Sequence, residues 1–424
     1  MSTRERLSNL RSRSVGRDFR QVWLSVIVSS TGDGMFITVL PLLAAILTRD
    51  PVLIAGLTIA QRLPWLLLSM VTGAIADRMD RRRLMIGADL VRFVIVALLG
   101  VAIVFDLANI WWLYVCAFLL GVGETLHVNA AQALVPAIVE PTDLLQANAR
   151  FGTAQIAAAQ FIGPPLGTAS FAIAQSVPFL ADAASFAVSA ALVSTLPDVH
   201  GVAAPTTRIR DDVREGFVFM WRNLAVRRIT LLLTVINFFY FGATALLVLY
   251  TKQHLHAGDA VYTAMFVGAA TGTVLIRFAV SRITARLGEV GTLSLAVWLW
   301  AIAIVGLAST DVPVLGVLSY STLGLGTGLW WAVNTTVRQR LTPTRMLGRM
   351  NAAFRTVSWG VVPFGAAFGG VVARHFGLLA PFVLGGAVMV LVALSSRWVL
   401  RPVGAALSIN QTAATRRRSD SKRD

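Results

Sequence analysis

Charged side chains are scarce in this chain, and lysine and cysteine are nearly absent. Only 14% of its 424 residues are Asp, Glu, Lys or Arg, against about 25% in an ordinary soluble domain. Hydrophobic residues make up 56%, and the mean hydropathy is +0.70. A soluble fold lacks the polar surface to cover that much apolar area, so a bilayer is the implied solvent. The sole cysteine, Cys116, sits inside an apolar run, which excludes an intrachain disulfide and a thiolate metal site. Lysine occurs only at Lys252 and Lys422. Walker A segments, zinc-type histidine patterns, acidic metal motifs and serine nucleophile elbows are all missing. These absences exclude direct drive by ATP, disfavour an integral-membrane enzyme, and leave no cofactor and no metal expected.

What the chain does have is apolar length. A spanning helix needs about 20 apolar residues. Twelve such runs follow one another, at 21–47, 52–76, 83–105, 110–137, 147–173, 177–196, 228–251, 260–284, 291–309, 312–336, 348–373 and 377–400. The formal charge of +16 is not a nucleic-acid stripe, because the arginines stand in short clusters between these runs. Arg4 to Arg20, Arg78 to Arg83, Arg208 to Arg228, Arg338 to Arg349 and Arg401 to Arg423 all fall on one side if every run spans. The positive-inside rule then places both termini in the cytoplasm, with the chain expected in the cell's inner (cytoplasmic) membrane. The expected fold is an all-α membrane protein of about twelve transmembrane helices, in two six-helix pseudo-repeat bundles around a central cavity. Its divisions are a basic cytoplasmic N-tail (1–20), an N-terminal bundle (21–196), a cytoplasmic linker with an amphipathic helix (197–227), a C-terminal bundle (228–400) and a basic disordered tail (401–424).

The two halves repeat each other. Pro141-Thr142-Asp143-Leu144-Leu145 parallels Pro343-Thr344-Arg345-Met346-Leu347, a displacement of 202 positions (343 less 141). Gly163 and Gly167 parallel Gly365 and Gly369 at the same displacement. Repeated halves packed about a midplane site are a common transporter architecture.

Three motifs sharpen the reading. Gly73-Ala74-Ile75-Ala76-Asp77-Arg78 leads into Asp80-Arg81-Arg82-Arg83 between the second and third runs. This resembles the signature of the major facilitator superfamily, with Asp80 where many members have Gly. The resemblance implies a cytoplasmic gate built on Gly73, Asp77, Arg78, Arg81 and Arg82. Gly163-Pro164-Pro165-Leu166-Gly167 in the fifth run is similar to the Gly-Pro motif of the antiporter branch, with Thr168 departing from it. Pro164 inside a spanning helix kinks it, and Gly163 and Gly167 permit close helix packing. Thr31-Gly32-Asp33-Gly34, Gln61-Arg62-Leu63-Pro64-Trp65 and Ala147-Asn148-Ala149 resemble the bacterial exporters that include macrolide efflux pumps and siderophore exporters. Over residues 20–400 that resemblance implies proton-driven efflux. The arginine that many drug–proton antiporters carry in the fourth helix is missing, and the segment reads Gly121-Val122-Gly123-Glu124.

Charges at membrane depth are costly, so each is a functional candidate. At about 1.5 Å per residue, Asp33, Arg62 and Glu124 fall near the midplane, and His127 shares the Glu124 helix face. They are candidates for proton coupling or substrate contact; a buried ion-pair network holding the half together is the other reading. Asp33 is expected to pair with Arg62, leaving Glu124 as the leading proton carrier. Asp89 and Arg92, three apart, are expected to neutralise each other, and Asp182 to meet water near the outer end of its run. Trp330 and Trp331 lie too deep for an interfacial belt and are candidate cavity aromatics. The implied function is secondary export of a small, moderately hydrophobic molecule by alternating access, with the bilayer, the substrate and protons as partners, no nucleic acid, and a monomer expected. Nutrient uptake or lipid movement on the same fold is the alternative; a receptor or membrane enzyme fits less well.

Overall fold

The apolar runs are all helical, and the described residues hold no strand. The computed structural model describes residues 16–140, 143–196 and 209–408. The N-tail through residue 15, the linker stretch 197–208 and the tail from 409 lie outside the described residues. In chain order the helices are α1 (Arg17–Leu47), α2 (Pro51–Arg78), α3 (Arg81–Val104), α4 (Ile110–Ile138), α5 (Leu144–Ile156), α6 (Gly163–Ile173), α7 (Val177–Ser194), α8 (Ile209–Arg222), α9 (Leu224–Thr244), α10 (Asp259–Leu275), α11 (Val280–Ala308), α12 (Pro313–Leu341), α13 (Leu347–Gly360), α14 (Val362–Phe376) and α15 (Ala380–Val399). Among the described residues, eleven helical stretches are long and apolar enough to cross a membrane. The run 312–336 becomes α12, 29 residues long, whose glycines, threonines and terminal arginines dilute its hydropathy.

Local chemistry sets several helix starts. Asp80, at the position where the major facilitator signature often has glycine, caps α3: its Oδ1 accepts from the Arg83 N–H at 2.9 Å. Asn109 accepts from the Trp111 and Trp112 N–H groups at the start of α4, and Asn223 from Val226 N–H at the start of α9. Each satisfies a donor that the first helical turn leaves without a partner. Gly377 ends α14 at φ +91°, a left-handed conformation that strains residues with a Cβ.

The repeat seen in the sequence is a repeat of breaks and of packing. α5 passes through a π-helical turn, Ala157–Ile162, into α6, directly before Pro164. In the second half, α13 stops at Gly360 and α14 begins at Val362, directly before Pro363. Proline lacks the N–H and crowds the carbonyl four residues back, so a break is forced at both places. Past each break, glycines press against an earlier helix. A Cβ on Gly163 would lie 2.6 Å from Gly34 Cα of α1, and one on Gly167 2.9 Å from Met35 Cα. A Cβ on Gly365 would lie 2.3 Å from the Phe238 carbonyl of α9, and one on Gly369 1.8 Å from the Gly242 carbonyl.

The chain forms two compact units, Met1–Leu40 with Leu67–Ala204, and Pro41–Leu66 with Pro205–Asp424. The division therefore departs from chain order at the α1–α2 corner, whose residues 41–66 group with the second unit. In the first unit α3 packs against α4 and α7, and a core of Val22, Met85, Ala130, Leu134, Val193 and Leu196 ties α1, α3 and α4 to the end of α7. In the second unit α12 packs against both α10 and α11, and α11 against α15. The amphipathic stretch of the linker is α8, which packs on α13: Glu215 pairs with Arg349, and Gly216 abuts the Arg349 carbonyl. The tail is helical beyond the expected boundary at 400, through Ser408. Val403 and Leu407, one turn apart, are buried there and extend the packing.

Glycine contacts give this fold a direct test. A Cβ on Gly324 of α12 would stand 1.8 Å from the Ala269 carbonyl of α10, whereas one on Gly87 of α3 meets nothing within 4 Å. Gly324→Ala is expected to destabilise by about 1–3 kcal/mol through overpacking, and Gly87→Ala to stabilise by about 0.5–1 kcal/mol through helix propensity. Thermal unfolding of the two purified variants checks the opposite signs; equal melting temperatures would contradict the α10–α12 contact.

Candidate functional site

Four helices of the first unit direct polar side chains to one place. α1 brings Asp33, α3 Asp89 and Arg92, α4 Glu124 and His127, and α7 Asp182, Ser185 and Ser189. The spacings of three and four along α3, α4 and α7 put each set on one helix face. Arg92 is the hub and is 2% exposed. Its guanidinium pairs with the Asp33 carboxylate, stands 3.6 Å from Asp89 Oδ1 and stacks 3.9 Å over the Phe186 ring. Asp89 is fully buried, with His127 Nδ1 at 2.9 Å from Oδ1 and Ser189 Oγ donating to Oδ2 at 2.6 Å.

Glycines make room for this cluster. A Cβ on Gly123 would lie 2.6 Å from Arg92 Cγ, so the α3 arginine crosses α4 only where that helix has no side chain. A Cβ on Gly32 would lie 2.2 Å from Asp182 Oδ1 and 2.3 Å from Ser185 Oγ. Asp33, Arg92, Glu124 and His127, with Ser29, Ser30 and Gln155, surround a pocket of about 20 Å³, room for about one water. Taking an arginine out of water costs several kcal/mol, which the two carboxylates offset only because their geometry is close. Among the described residues no group of three or more His, Cys, Asp or Glu side chains is placed to hold a metal ion.

A second space lies beside the first. Between α1 and α5 runs a groove of about 580 Å³, walled by Trp23, Ile27, Ala154, Ala158 and Ile162, with Arg150 at its edge. The Trp23 indole N–H donates to the Arg150 carbonyl at 3.3 Å, holding the ring against the wall. A mostly apolar space of this size with a few polar groups suits a small organic ligand. The π turn Ala157–Ile162 forms part of its wall.

A sequence profile described as "Transmembrane secretion effector", of the major facilitator superfamily, matches residues 11–417. The chain belongs to this family. It is therefore a multi-pass membrane transporter and not an enzyme. Among its relatives is macrolide efflux protein A of Streptococcus pyogenes, 18% identical over 338 residues, covering 78% of this chain and 83% of that one. An uncharacterised major-facilitator-type transporter of Sinorhizobium fredii is 26% identical over 413 residues, covering 92% and 97%. In fold the chain is similar to the nucleoside transporter NupG, with a TM-score of 0.73 at 13% identity, over 90% of this chain and 100% of that one. It is also similar to a bacterial homologue of the human lysosomal transporter Spinster, with a TM-score of 0.70 at 14% identity, over 93% and 99%.

Within this transporter family member, the candidates from sequence separate. Asp33, Glu124 and His127 meet in the small polar pocket. Arg62 falls in the residues 41–66 that group with the second unit, and the Asp33 carboxylate is taken by Arg92 instead. The physical reason is reach: Arg92 extends from α3 across Gly123 to a carboxylate on α1. Asp89 also shares its charge with His127 and does not neutralise Arg92 alone. Asp182, expected to meet water, is fully buried. A polar stripe in the sequence, Asp182-x-x-Ser185-x-x-x-Ser189, was the signal for it, since those spacings share one helix face. Gly73, Asp77 and Arg78 belong to α2, and their side chains lie outside the described residues; Arg81 and Arg82 are half-buried, and Arg82 donates to the Ser194 carbonyl of α7. Gly163, Pro164 and Gly167 are buried against α1. Trp330 is fully buried and packs on Trp300 at 5.4 Å, while half-buried Trp331 stacks on Trp359.

Removing the hub is the sharpest stability test. Arg92→Met would leave Asp33 without its cation and Asp89 with His127 alone inside the first unit. Breaking a buried pair from one side is expected to cost about 3–5 kcal/mol. The check is yield and melting temperature of the purified variant; a wild-type melting temperature would show that the cluster does not support the unit.

Proposed function

We propose that this transporter exports a small, moderately hydrophobic molecule in exchange for protons, from a bacterial inner membrane in which both of its termini are cytoplasmic. The observation that carries this reading is the polar pocket of the first unit. Two acids, Asp33 and Glu124, line it beside a buried arginine and a buried histidine, inside a helix bundle whose buried side chains are mostly apolar. Ionisable groups at that depth are what a proton relay needs. The relatives named for macrolide efflux support the direction. The apolar groove between α1 and α5 supports the substrate class: it could take aliphatic or aromatic surface along Trp23 and the alanine wall, with a polar group near Arg150.

Glu124 is the leading proton carrier in this reading and Asp33, which Arg92 holds in an ion pair, the second. The missing fourth-helix arginine also fits. The guanidinium is supplied by α3, and Gly123, one residue before Glu124, is the opening that admits it. Binding of a proton by the acid would weaken its hold on neighbouring helices and bias the two states of an alternating-access cycle. The arginine clusters on one side of the spans support the orientation. Gly73, Asp77, Arg78, Arg81 and Arg82 retain the role of a cytoplasmic gate as part of this proposal.

The test uses purified protein in proteoliposomes with erythromycin as the probe and an internal pH dye. Glu124→Gln is expected to abolish erythromycin-induced proton movement while equilibrium binding of erythromycin stays within a few-fold of wild type. Undiminished proton movement in that variant would overturn the assignment of Glu124. Reporter fusions after residues 76, 108, 210 and 400 should read inside, outside, inside and inside; an outside signal at 210 would overturn the orientation.

A further inference from the structure

The ion pairs of the buried cluster go to Asp33 and Asp89, and Asp182 has none among the described residues. Arg92 serves Asp33 and Asp89; His127 and Ser189 also serve Asp89. Asp182 of α7 is as deeply buried as Asp89, at 0% exposure. No cation stands within ion-pair distance of it among the described residues, and its Oδ2 has no hydrogen-bond partner. The one polar neighbour of its other oxygen is Ser185 Oγ, 3.4 Å from Oδ1. That hydroxyl donates more closely to the Asp182 backbone carbonyl, at 2.7 Å, so what reaches the carboxyl is one long, shared hydrogen bond, too little to satisfy a buried carboxylate.

Charge counting leads to the same place. The groups facing the cluster are Asp33 from α1, Asp89 and Arg92 from α3, Glu124 and His127 from α4, and Asp182 with its two serines from α7. Four carboxyls face one arginine and one histidine. Even with the histidine protonated, both cations are already engaged by Asp33 and Asp89, so an ionised Asp182 would have no ion-pair partner. Asp33 and Glu124 border the small pocket, whereas Asp182 lies outside its lining and has no cation within ion-pair distance among the described residues. An isolated carboxylate in that position costs far more than a protonated one.

The α1 backbone closes the site. Gly32, next to Asp33, lies so close that a Cβ there would overlap Asp182 Oδ1 and Ser185 Oγ. A shift of α1 away from α7 would uncover Asp182 and move Asp33 off Arg92 in one motion, because both contacts sit on neighbouring residues of one helix.

We propose that Asp182 is a proton-carrying residue of this transporter, protonated while α1 packs on α7 and exchanging its proton with water only when the two helices separate. Its holding a proton stands on the geometry alone; its serving transport rests on the proton-coupled reading above. The experiment is infrared spectroscopy of the purified full chain in lipid nanodiscs at pH 7, about three units above an ordinary aspartate. The wild-type spectrum should contain a carboxylic-acid C=O band that Asp182→Asn removes. The Asn variant, neutral and of the same shape, should accumulate and melt within a few degrees of wild type. In proteoliposomes with erythromycin as the probe it should lower the number of protons moved per erythromycin by about one. A carboxylic-acid region unchanged by Asp182→Asn would overturn the proposal. So would failure of both Asp182→Asn and Asp182→Ser to fold, since a site holding a neutral acid should accept a neutral replacement. If the band is lost but neither Asp182→Asn nor Glu124→Gln alters proton movement, the proton on Asp182 stands, its carrying role is overturned, and the proton-coupled reading fails separately.

Discussion

A guanidinium held inside a bundle of apolar helices has to be neutralised where it stands, and Arg92 places that demand on every helix around it. α1 must bring Asp33, α3 must turn so that Asp89 and Arg92 share a face, and α4 must be bare at Gly123 for the side chain to pass. α7 must set Phe186 beneath the charged plane and supply Ser189 to Asp89. Such a network is a poor source of net stability, because desolvation consumes most of its Coulombic gain. It does constrain register, because sliding α1 or α3 separates Arg92 from Asp33. The same property makes it a switch: changing the charge on one member alters the terms on which all the others pack.

Close backbone approach is the second constraint, and it works without charge. Gly163 and Gly167 seat α6 on α1, and Gly365 and Gly369 seat α14 on α9. In a bilayer, apolar side chains gain little by leaving lipid for one another, so helices associate through packing, and small residues allow the most of it. Pro164 and Pro363 break the helices directly before these glycines. Each unit therefore has a long span made of two rods with a joint, positioned where a partner helix is gripped. In the first unit the π turn at that joint also forms part of the wall of the apolar groove. A change at the joint would thus be felt by the groove and by α1, which carries Asp33.

Membership of the transmembrane secretion effector family settles that the chain moves something across a membrane. The distant solved structures, including a nucleoside transporter, share its fold and say nothing of its cargo. The polar pocket and the apolar groove of the first unit share α1: Ser29, Ser30 and Asp33 face the one, Trp23 and Ile27 the other. One helix thus contacts both proposed sites. A displacement of α1 by a ligand in the groove would reach the ionisable cluster directly, with no relay through the second unit.

Much of this was legible in the residues. Hydrophobic length marked most spans to within a few residues, because a helix must be apolar wherever it meets lipid, whatever its neighbours; it misplaced the boundary between the runs 260–284 and 291–309, where α11 already starts at Val280. The Gly163 and Gly365 repeat was visible because a need for small residues leaves a mark at single positions. Asp33, Glu124 and His127 stood out because charge in an apolar run is rare. The choice of partners was not legible. Arg92 looked like a local match for Asp89 and reaches Asp33 as well; Asp182 looked solvated and is sealed; residues 41–66 group with the second half of the chain. Sequence by itself determined what each helix must bury or expose, since that follows from composition one span at a time. Only the tertiary structure decided which buried charges share a partner and which carboxyl is left without one, because pairing depends on distances between helices far apart in the chain.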